Sequence, residues 1–261
     1  MKDPNLNENG SVYGAWETEF GDWIIETKGV HCFLLVGEKY SLLIDTAYGE
    51  GDLLAVVKKI TQKPLIVVNT HGHLDHSGGN GFWEKVWMGK GGEIPARQVD
   101  ASKLPFPTYE IVFLSDGQIF DLGDRQVEAI SIGAHHDSSF AFLDKKNKTL
   151  YTGDEVESGQ VLLFVNDAET QTDVLVARHL ENMKKLKLRS DEYVRLMPAH
   201  NGGPLNVDYI DAFIKLDEWI LSKEAIPQET VAGFGMPTFL WGGDEKLQRI
   251  RLGKASFICA K

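Results

Sequence analysis

A short apolar run, Leu65-Ile66-Val67-Val68-Asn69, leads straight into Thr70-His71-Gly72-His73-Leu74-Asp75-His76-Ser77-Gly78-Gly79. The run reads as a buried parallel strand, because strands covered on both faces are continuously apolar. Three histidines and an aspartate therefore follow a strand end, which is where open α/β sheets build their sites. Imidazole is a common ligand for divalent transition metals, and carboxylate is a second good one. Four such groups on one turn cannot all face one ion. Their alternation sends His71 and His73 one way and Asp75 and His76 another, giving two adjacent cation positions. The alternative is a polar loop with incidental histidines, and the concentration of ligand chemistry weighs against it.

The chain of 261 residues has no linker-like stretch in its middle. Residues 1–261 read as a single large α/β domain, with 225–261 a Gly- and aromatic-rich extension. A formal net charge of −11 argues against a nucleic-acid partner, which would want clustered Lys and Arg. It argues in the same direction against anionic membranes. No run approaches the length of a membrane span, and Met1 to Gly10 has no apolar core of the signal-peptide kind. Cys32 and Cys259 lie far apart and outside any CxxC, so Cys32 reads as a buried free thiol. A cytoplasmic, reducing location follows by elimination.

Three β-rich runs precede the histidine loop: Asp22 to Thr27, Val30 to Val36, and Tyr40 to Asp45, with Gly37-Glu38 as a turn. Leu53, Val56, Val57 and Ile60 then share one helical face. The spacing predicts a short helix over Asn80 to Lys85, and the irregular stretch over 90–110 reads as a surface loop or a short helix around Pro95 to Ala101. Strands follow at Glu110 to Leu114, Gln118 to Leu122 and Gln126 to Ile132, and again at Phe140 to Leu143 and Thr149 to Thr152. A helix from Gln171 to Leu188 turns Val176, Leu180, Met183 and Leu186 inward. Tyr193 to Met197 reads as a strand. A last helix runs from Val207 to Ser222, capped by Asn206, with Ile210, Phe213, Ile214, Ile220 and Leu221 on one face. Ala255 to Cys259 closes as a final strand.

Four separate segments put an imidazole or an acid at a strand end: the 71–76 loop, His135, Asp154 and His200. Of the eight histidines, only His31 and His179 lie outside these segments; His136 lies beside His135. Histidines scattered over a surface would not sort this way.

These segments resemble the metallo-β-lactamase fold superfamily. Its H-x-H-x-D-H signature is met by His71, His73, Asp75 and His76. Its next histidine matches His135, its bridging aspartate in a G-D pair matches Gly153-Asp154, and its last histidine matches His200. The match runs through about residues 20 to 222. The resemblance implies an α/β fold, a four-layer αββα sandwich of two mixed sheets with helices outside. It implies two metals at one rim: His71, His73 and His135 on the first, Asp75, His76 and His200 on the second, with Asp154 bridging. Zinc suits these N/O donors at about 2.0–2.2 Å, and iron or manganese would suit them too. Two divalent ions about 3.5–4 Å apart can share a water and lower its pKa toward neutrality, giving a bridging hydroxide that attacks a carbonyl, phosphoryl or sulfuryl centre. Asp75 is then a candidate catalytic group that orients the hydroxide or passes a proton to the leaving group.

The chain also departs from family patterns. After His135 stand His136-Asp137-Ser138-Ser139, which read as a turn held by its own side chains. The alternatives are a contact beside the site, or His136 replacing His135 as ligand. The best-known antibiotic-hydrolysing subclass has a cysteine where Asp154 stands. The segment Glu155 to Val165 carries no basic residue, which disfavours glutathione. The large extra domain or basic arm of the family's nucleases is lacking. His73 is retained and no flavodoxin domain is present, which separates the chain from the oxygen reductases. Val161 to Val165 reads equally as a pocket wall or as core. Phe234 to Trp241 reads as a covering loop or a contact in a homodimer. Asp45 reads as an orienting group behind the metal loop or as a turn cap.

The expected function is a dinuclear metal-dependent hydrolase acting on a small, moderately apolar ester, lactone or thioester. The alternatives are a phosphodiesterase for a small phosphodiester or cyclic nucleotide, and an iron-dependent redox or sensor protein. The expected partner is a small-molecule substrate; its identity lies in loops that carry no readable specificity code.

Overall fold

The structure is a computed structural model that describes residues 12–163, 171–230 and 247–260. The expectations for Met1 to Gly10, for Phe164 and Val165, and for Phe234 to Trp241 lie outside the described residues. By its contacts the chain divides into two compact units. The first holds Met1–Ser131 with Phe140–Asn147, and the second holds Ile132–Ser139 with Lys148–Lys261.

The first unit is built on a seven-stranded mixed sheet. Its strands lie in chain order: β1 (Gly14–Glu17), β2 (Trp23–Thr27), β3 (Val30–Val36), β4 (Ser41–Ile44), β5 (Leu65–Val68), β6 (Lys85–Met88) and β7 (Glu110–Phe113). Pairing is antiparallel from β1 to β4 and parallel from β4 to β7. The change of sense at β4 requires a crossover, and α1 (Leu53–Ile60) supplies it. Asp52 caps α1 by accepting from the Ala55 N–H at 2.9 Å. Leu53, Val56 and Val57 are buried, as the helical period predicts. β4 is buried along its whole length, the mark of a strand covered on both faces. The same unit holds α2 (Leu74–Ser77), α3 (Glu93–Ala96) and an antiparallel run of β8 (Gln118–Asp121), β9 (Gln126–Ser131) and β10 (Phe140–Asp144).

In the second unit, β11 (Thr149–Gly153) pairs in parallel with β13 (Arg195–Pro198). β12 (Val161–Leu163) pairs in parallel with β16 (Ala255–Ala260), and β16 continues antiparallel to β15 (Leu247–Leu252), which pairs with β14 (Glu229–Thr230). α4 (Thr172–Lys187) and α5 (Asp208–Leu221) are its two helices.

Several local expectations change. Residues 80–85 are not one helix. Asn80–Phe82 form a single 3-10 turn, and Lys85 already begins β6. The alternating burial of β6, with Val86 and Met88 inside, is a strand period that a short helical reading hides. β1 and β15 were not foreseen. On α4 the buried stripe runs through His179, while Leu180 is only half-buried. On α5 the buried stripe includes Leu216 and Asp217, with Ile214 and Leu221 half-buried. Asn206 stands one place before the cap position: Val207 is the N-cap, and the Asn206 side chain accepts from the Asp208 N–H at 3.0 Å.

Candidate metal centre

The first unit gathers His71, His73, Asp75 and His76 at the C-terminal end of β5. Two backbone approaches set the loop's path. A Cβ on Gly72 would stand 2.1 Å from the Gly92 carbonyl oxygen, and one on Gly78 would stand 2.4 Å from the Tyr48 backbone. Only glycine fits at either point. Ser77 Oγ donates to the Gly72 and His73 carbonyls, both at 2.9 Å, and tightens the single turn of α2. The His76 carbonyl accepts from Thr46 N at 2.8 Å, Thr46 Oγ1 at 3.1 Å and Asn69 Nδ2 at 2.8 Å. The peptide that carries His76 is therefore held from two neighbouring strand ends.

Within this frame the donor atoms fall in pairs. His71 Nε2 lies 2.9 Å from His73 Nδ1, and Asp75 Oδ2 lies 3.4 Å from His76 Nε2. The His71 and His76 rings are 4.1 Å apart between centroids. His71 and His76 are fully buried, while the Asp75 side chain keeps 25% exposure and so can be reached by a solute.

Asp45 stands behind the rings, in the orienting role of the two offered by the sequence. It is buried at the end of β4 with φ of 66°. Its carboxylate accepts from Thr70 N at 2.7 Å, Thr70 Oγ1 at 2.8 Å and His76 Nδ1 at 2.9 Å. Burial pushes this carboxyl above its ordinary pKa, and the facing His76 and Thr70 groups oppose that rise. The contacts also assign protons. With its own hydrogen given to Asp45, Thr70 Oγ1 can only accept from His71 Nδ1, at 3.2 Å. The proton of His76 likewise sits on Nδ1, toward Asp45. In the neutral rings Nε2 is then unprotonated, that of His71 facing His73 Nδ1 and that of His76 facing Asp75.

The second unit gathers His135, Asp154 and His200. His135 Nδ1 lies 2.7 Å from the Leu162 carbonyl of β12. A carbonyl only accepts, so Nδ1 carries a proton, and in the neutral imidazole Nε2 is then the nitrogen left for a cation. Asp154 Oδ2 lies 3.7 Å from His135 Nε2 and 3.4 Å from His200 Nε2, between the two imidazoles. Glu155, buried beside it, turns its Oε1 back to accept from Ala134 N at 2.9 Å and His135 N at 3.0 Å. The loop after His200 is tied to the segment after Asp154. Asn201, with φ of 60°, donates from Nδ2 to Glu157 Oε2 at 2.6 Å, and Ser158 Oγ donates to the Asn201 carbonyl at 3.0 Å.

His136 takes part in its own turn: its Nδ1 accepts from Ser138 N at 3.1 Å and faces Ser138 Oγ at 2.7 Å. Asp137 pairs with Arg178 of α4. Glu155 and the Leu162 carbonyl were not singled out from the sequence. A backbone acceptor has no letter of its own, and one acid next to a strand end gives no pattern to read. Cys32 and Cys259 are both free and buried, as expected for Cys32. No helix among the described residues is long and apolar enough to cross a membrane.

The donor set fits a divalent transition metal. Neutral imidazole nitrogens with their protons turned away, and carboxylate oxygens beside them, are what such ions take, and His and Asp side chains of the chain form groups that could hold one. The model of the metallo-beta-lactamase superfamily matches residues 26–200. The chain belongs to this superfamily. It is 27% identical over 162 residues to an acyl-coenzyme A thioesterase MBLAC2 of Gallus gallus, which covers 50% of this chain and 58% of that protein. It is 26% identical over 162 residues to a hydroxyacylglutathione hydrolase of Prochlorococcus marinus (strain NATL1A), covering 60% of this chain and 55% of the relative. The match thus spans little more than half the length of these curated relatives. Among solved structures, a metallo-beta-lactamase from Pontibacter korlensis superposes with a TM-score of 0.62 at 20% identity, covering 79% of this chain and 99% of that one. That likeness is one of fold: mixed sheets with helices, as the family resemblance implied.

Proposed function

We propose that the chain is a metal-dependent hydrolase that cleaves the thioester bond of a small acyl compound. The observation that carries this reading is the proton placement. His71, His76 and His135 each have Nδ1 committed to a fixed acceptor, so each offers Nε2 as a bare donor. Three imidazoles poised this way serve cation binding better than they serve a surface turn.

As the family resemblance implies, His71, His73 and His135 would hold one ion and Asp75, His76 and His200 another, with Asp154 as a further ligand; these side chains recur in the candidate ligand groups of the chain. Zinc is the first choice of metal, with iron and manganese as alternatives. Two bound divalent ions would supply a water of lowered pKa and a polarised carbonyl. The chain's own residues do the rest. Asp45 and Thr70 keep the His71 and His76 protons away from the ions. The Asp154 carboxylate neutralises part of the positive charge. Asp75, partly exposed and next to His76, orients the nucleophile, takes up its proton and passes that proton to the sulfur of the departing thiolate.

The thioester, rather than a lactone or oxygen ester, is favoured because the two curated relatives are named for hydrolysing acyl groups carried on coenzyme A and on glutathione. The bond broken is the same in both, while the thiol differs. Metal-loaded protein should be assayed for thiol release from short- and medium-chain acyl-coenzyme A and hydroxyacyl-glutathione, with an aryl ester and an acyl lactone alongside. We expect thioesters to be the fastest substrates and chelator to abolish turnover. No turnover above free metal on any of the four would refute the reading.

A further inference from the structure

His179 and Asp217 were absorbed by no part of the site described above, yet both are fully buried, one on α4 and one on α5. His179 Nδ1 lies 2.9 Å from Asp217 Oδ2, and its Nε2 lies 2.9 Å from the Glu155 carbonyl oxygen. The ring is walled by Phe213 and by Phe257 of β16, with centroids 5.3 and 5.0 Å away. An ion pair sealed in an aromatic wall costs desolvation and is weak evidence of added stability. Its direction offers another use.

Glu155 connects this pair to the candidate ligands. Its side chain holds the Ala134 and His135 N–H groups, and its backbone follows directly on Asp154. The turn through it is closed from one side by Thr152, whose Oγ1 donates to the Val156 carbonyl at 3.0 Å. From the other side it is closed by His179. A shift at Glu155 would therefore move Asp154 and His135 together. We propose that His179, braced by Asp217, is a positioning residue for the metal centre: its Nε2–H on the Glu155 carbonyl sets where Asp154 and His135 stand. This rests on reading those two residues as ligands.

The proton count supports the role in either charge state. A carbonyl cannot donate, so Nε2 carries a hydrogen whatever happens at Nδ1. Nδ1 and Asp217 then share one proton, as imidazolium with carboxylate or as neutral imidazole with carboxylic acid. Burial pulls the His179 pKa down, and the Asp217 charge and hydrogen bond more than restore it, while burial pushes Asp217 up. Both tendencies keep a proton on the pair, and both leave the Glu155 contact intact.

Two substitutions of the same chemistry but different reach test this. A glutamine amide occupies roughly the place of Nε2, whereas an asparagine amide occupies that of Nδ1. The full chain is stripped of metal, and its affinity for Co(II) and Zn(II) is measured against a chromophoric chelator, with the visible Co(II) spectrum recorded in parallel. His179→Asn should weaken binding 10- to 100-fold, the size seen for losing a group behind a ligand, and should shift the Co(II) bands. His179→Gln should stay within about threefold of wild type with an unshifted spectrum. Phe213→Leu, which thins the same wall without touching the hydrogen bond, should lower Tm and leave affinity and spectrum alone. The proposal is overturned if Asn and Gln variants behave alike, or if Phe213→Leu weakens binding as much as His179→Asn. If His179→Asn does not fold, His179→Gln still decides, since a tenfold loss there overturns the idea. Failure of wild type to bind either metal is a separate result, seen before any variant is made, and removes the ligand reading itself.

Discussion

Replacing Asp45 with asparagine should disarm the metal loop while leaving the fold nearly untouched. The wild-type carboxylate accepts from three donors: Thr70 N at 2.7 Å, Thr70 Oγ1 at 2.8 Å and His76 Nδ1 at 2.9 Å. Asparagine keeps only one accepting oxygen. That oxygen stays against Thr70 N–H, because the reverse orientation sets two N–H groups against each other. The new NH2 then faces Thr70 Oγ1 and His76 Nδ1, and both must become acceptors. Freed from Asp45, the Thr70 hydroxyl hydrogen turns to His71 Nδ1, 3.2 Å away. Both rings are thereby driven to carry their proton on Nε2, the atom a cation needs. Binding must reverse each ring against a hydrogen bond worth about 0.5–1.5 kcal/mol. Two such reversals total roughly 1–3 kcal/mol, a loss of about 5- to 150-fold in affinity. In the metal-free protein the volume is unchanged and every donor still has a partner, so stability should move by less than about 1 kcal/mol. Chelator-competition titration gives the first number and urea unfolding of stripped protein gives the second. Unchanged affinity in a folded variant would refute the proton argument. A metal-free stability loss above about 3 kcal/mol would refute it too, by showing that Asp45 mainly holds the fold.

Four further outcomes are expected. Asp75→Asn should weaken binding of the ion assigned to Asp75, His76 and His200 and, measured at saturating metal, lose about 10²- to 10⁴-fold in thiol release, the usual span for a general acid–base group; full turnover with metal bound would remove Asp75 from the reaction. Gly72→Ala drives a methyl to 2.1 Å from the Gly92 carbonyl, and thermal melts should show a destabilisation of about 1–3 kcal/mol. Free metal at about 100 times its Kd should raise stability by ~2.7 kcal/mol, so calorimetry of loaded and chelated protein should differ by roughly 5–10 °C. Burial pushes the Cys259 thiol up to about 11 and Cys32 higher still, so both stay protonated well above neutral pH. A colorimetric thiol reagent at pH 8 should therefore label native protein hardly at all and unfolded protein at both cysteines.

What could be read from the letters was whatever leaves a period or a cluster. β4 and β5 are continuous apolar runs, and α1 repeats its apolar face at helical spacing. The histidine loop is dense enough to stand out alone. β6 was lost because Trp83-Glu84-Lys85 favours a helix locally, while the strand's signal lies in Val86 and Met88 pointing inward. β15, Leu247-Gln248-Arg249-Ile250-Arg251-Leu252, is polar enough to pass for a loop until β16 lies beside it. Glu155 and His179 were invisible for a different reason. Their contacts depend on which carbonyl or N–H faces them, and a carbonyl belongs to every residue alike. Asp217 is not among the apolar residues that the sequence aligns on α5, and only its burial reveals the pair.

One consequence concerns the order in which the molecule is made. β12, whose Leu162 oxygen fixes the His135 proton, finds its parallel neighbour in β16. That neighbour is translated long after β12 has left the ribosome, and pairing across so wide a gap in sequence is slow. A growing polypeptide can thus display the His71 loop early while His135 still awaits its prop. If His135 is a ligand, an ion meeting the nascent chain finds that imidazole unsupported, so tight capture waits until β16 has been made and has paired with β12.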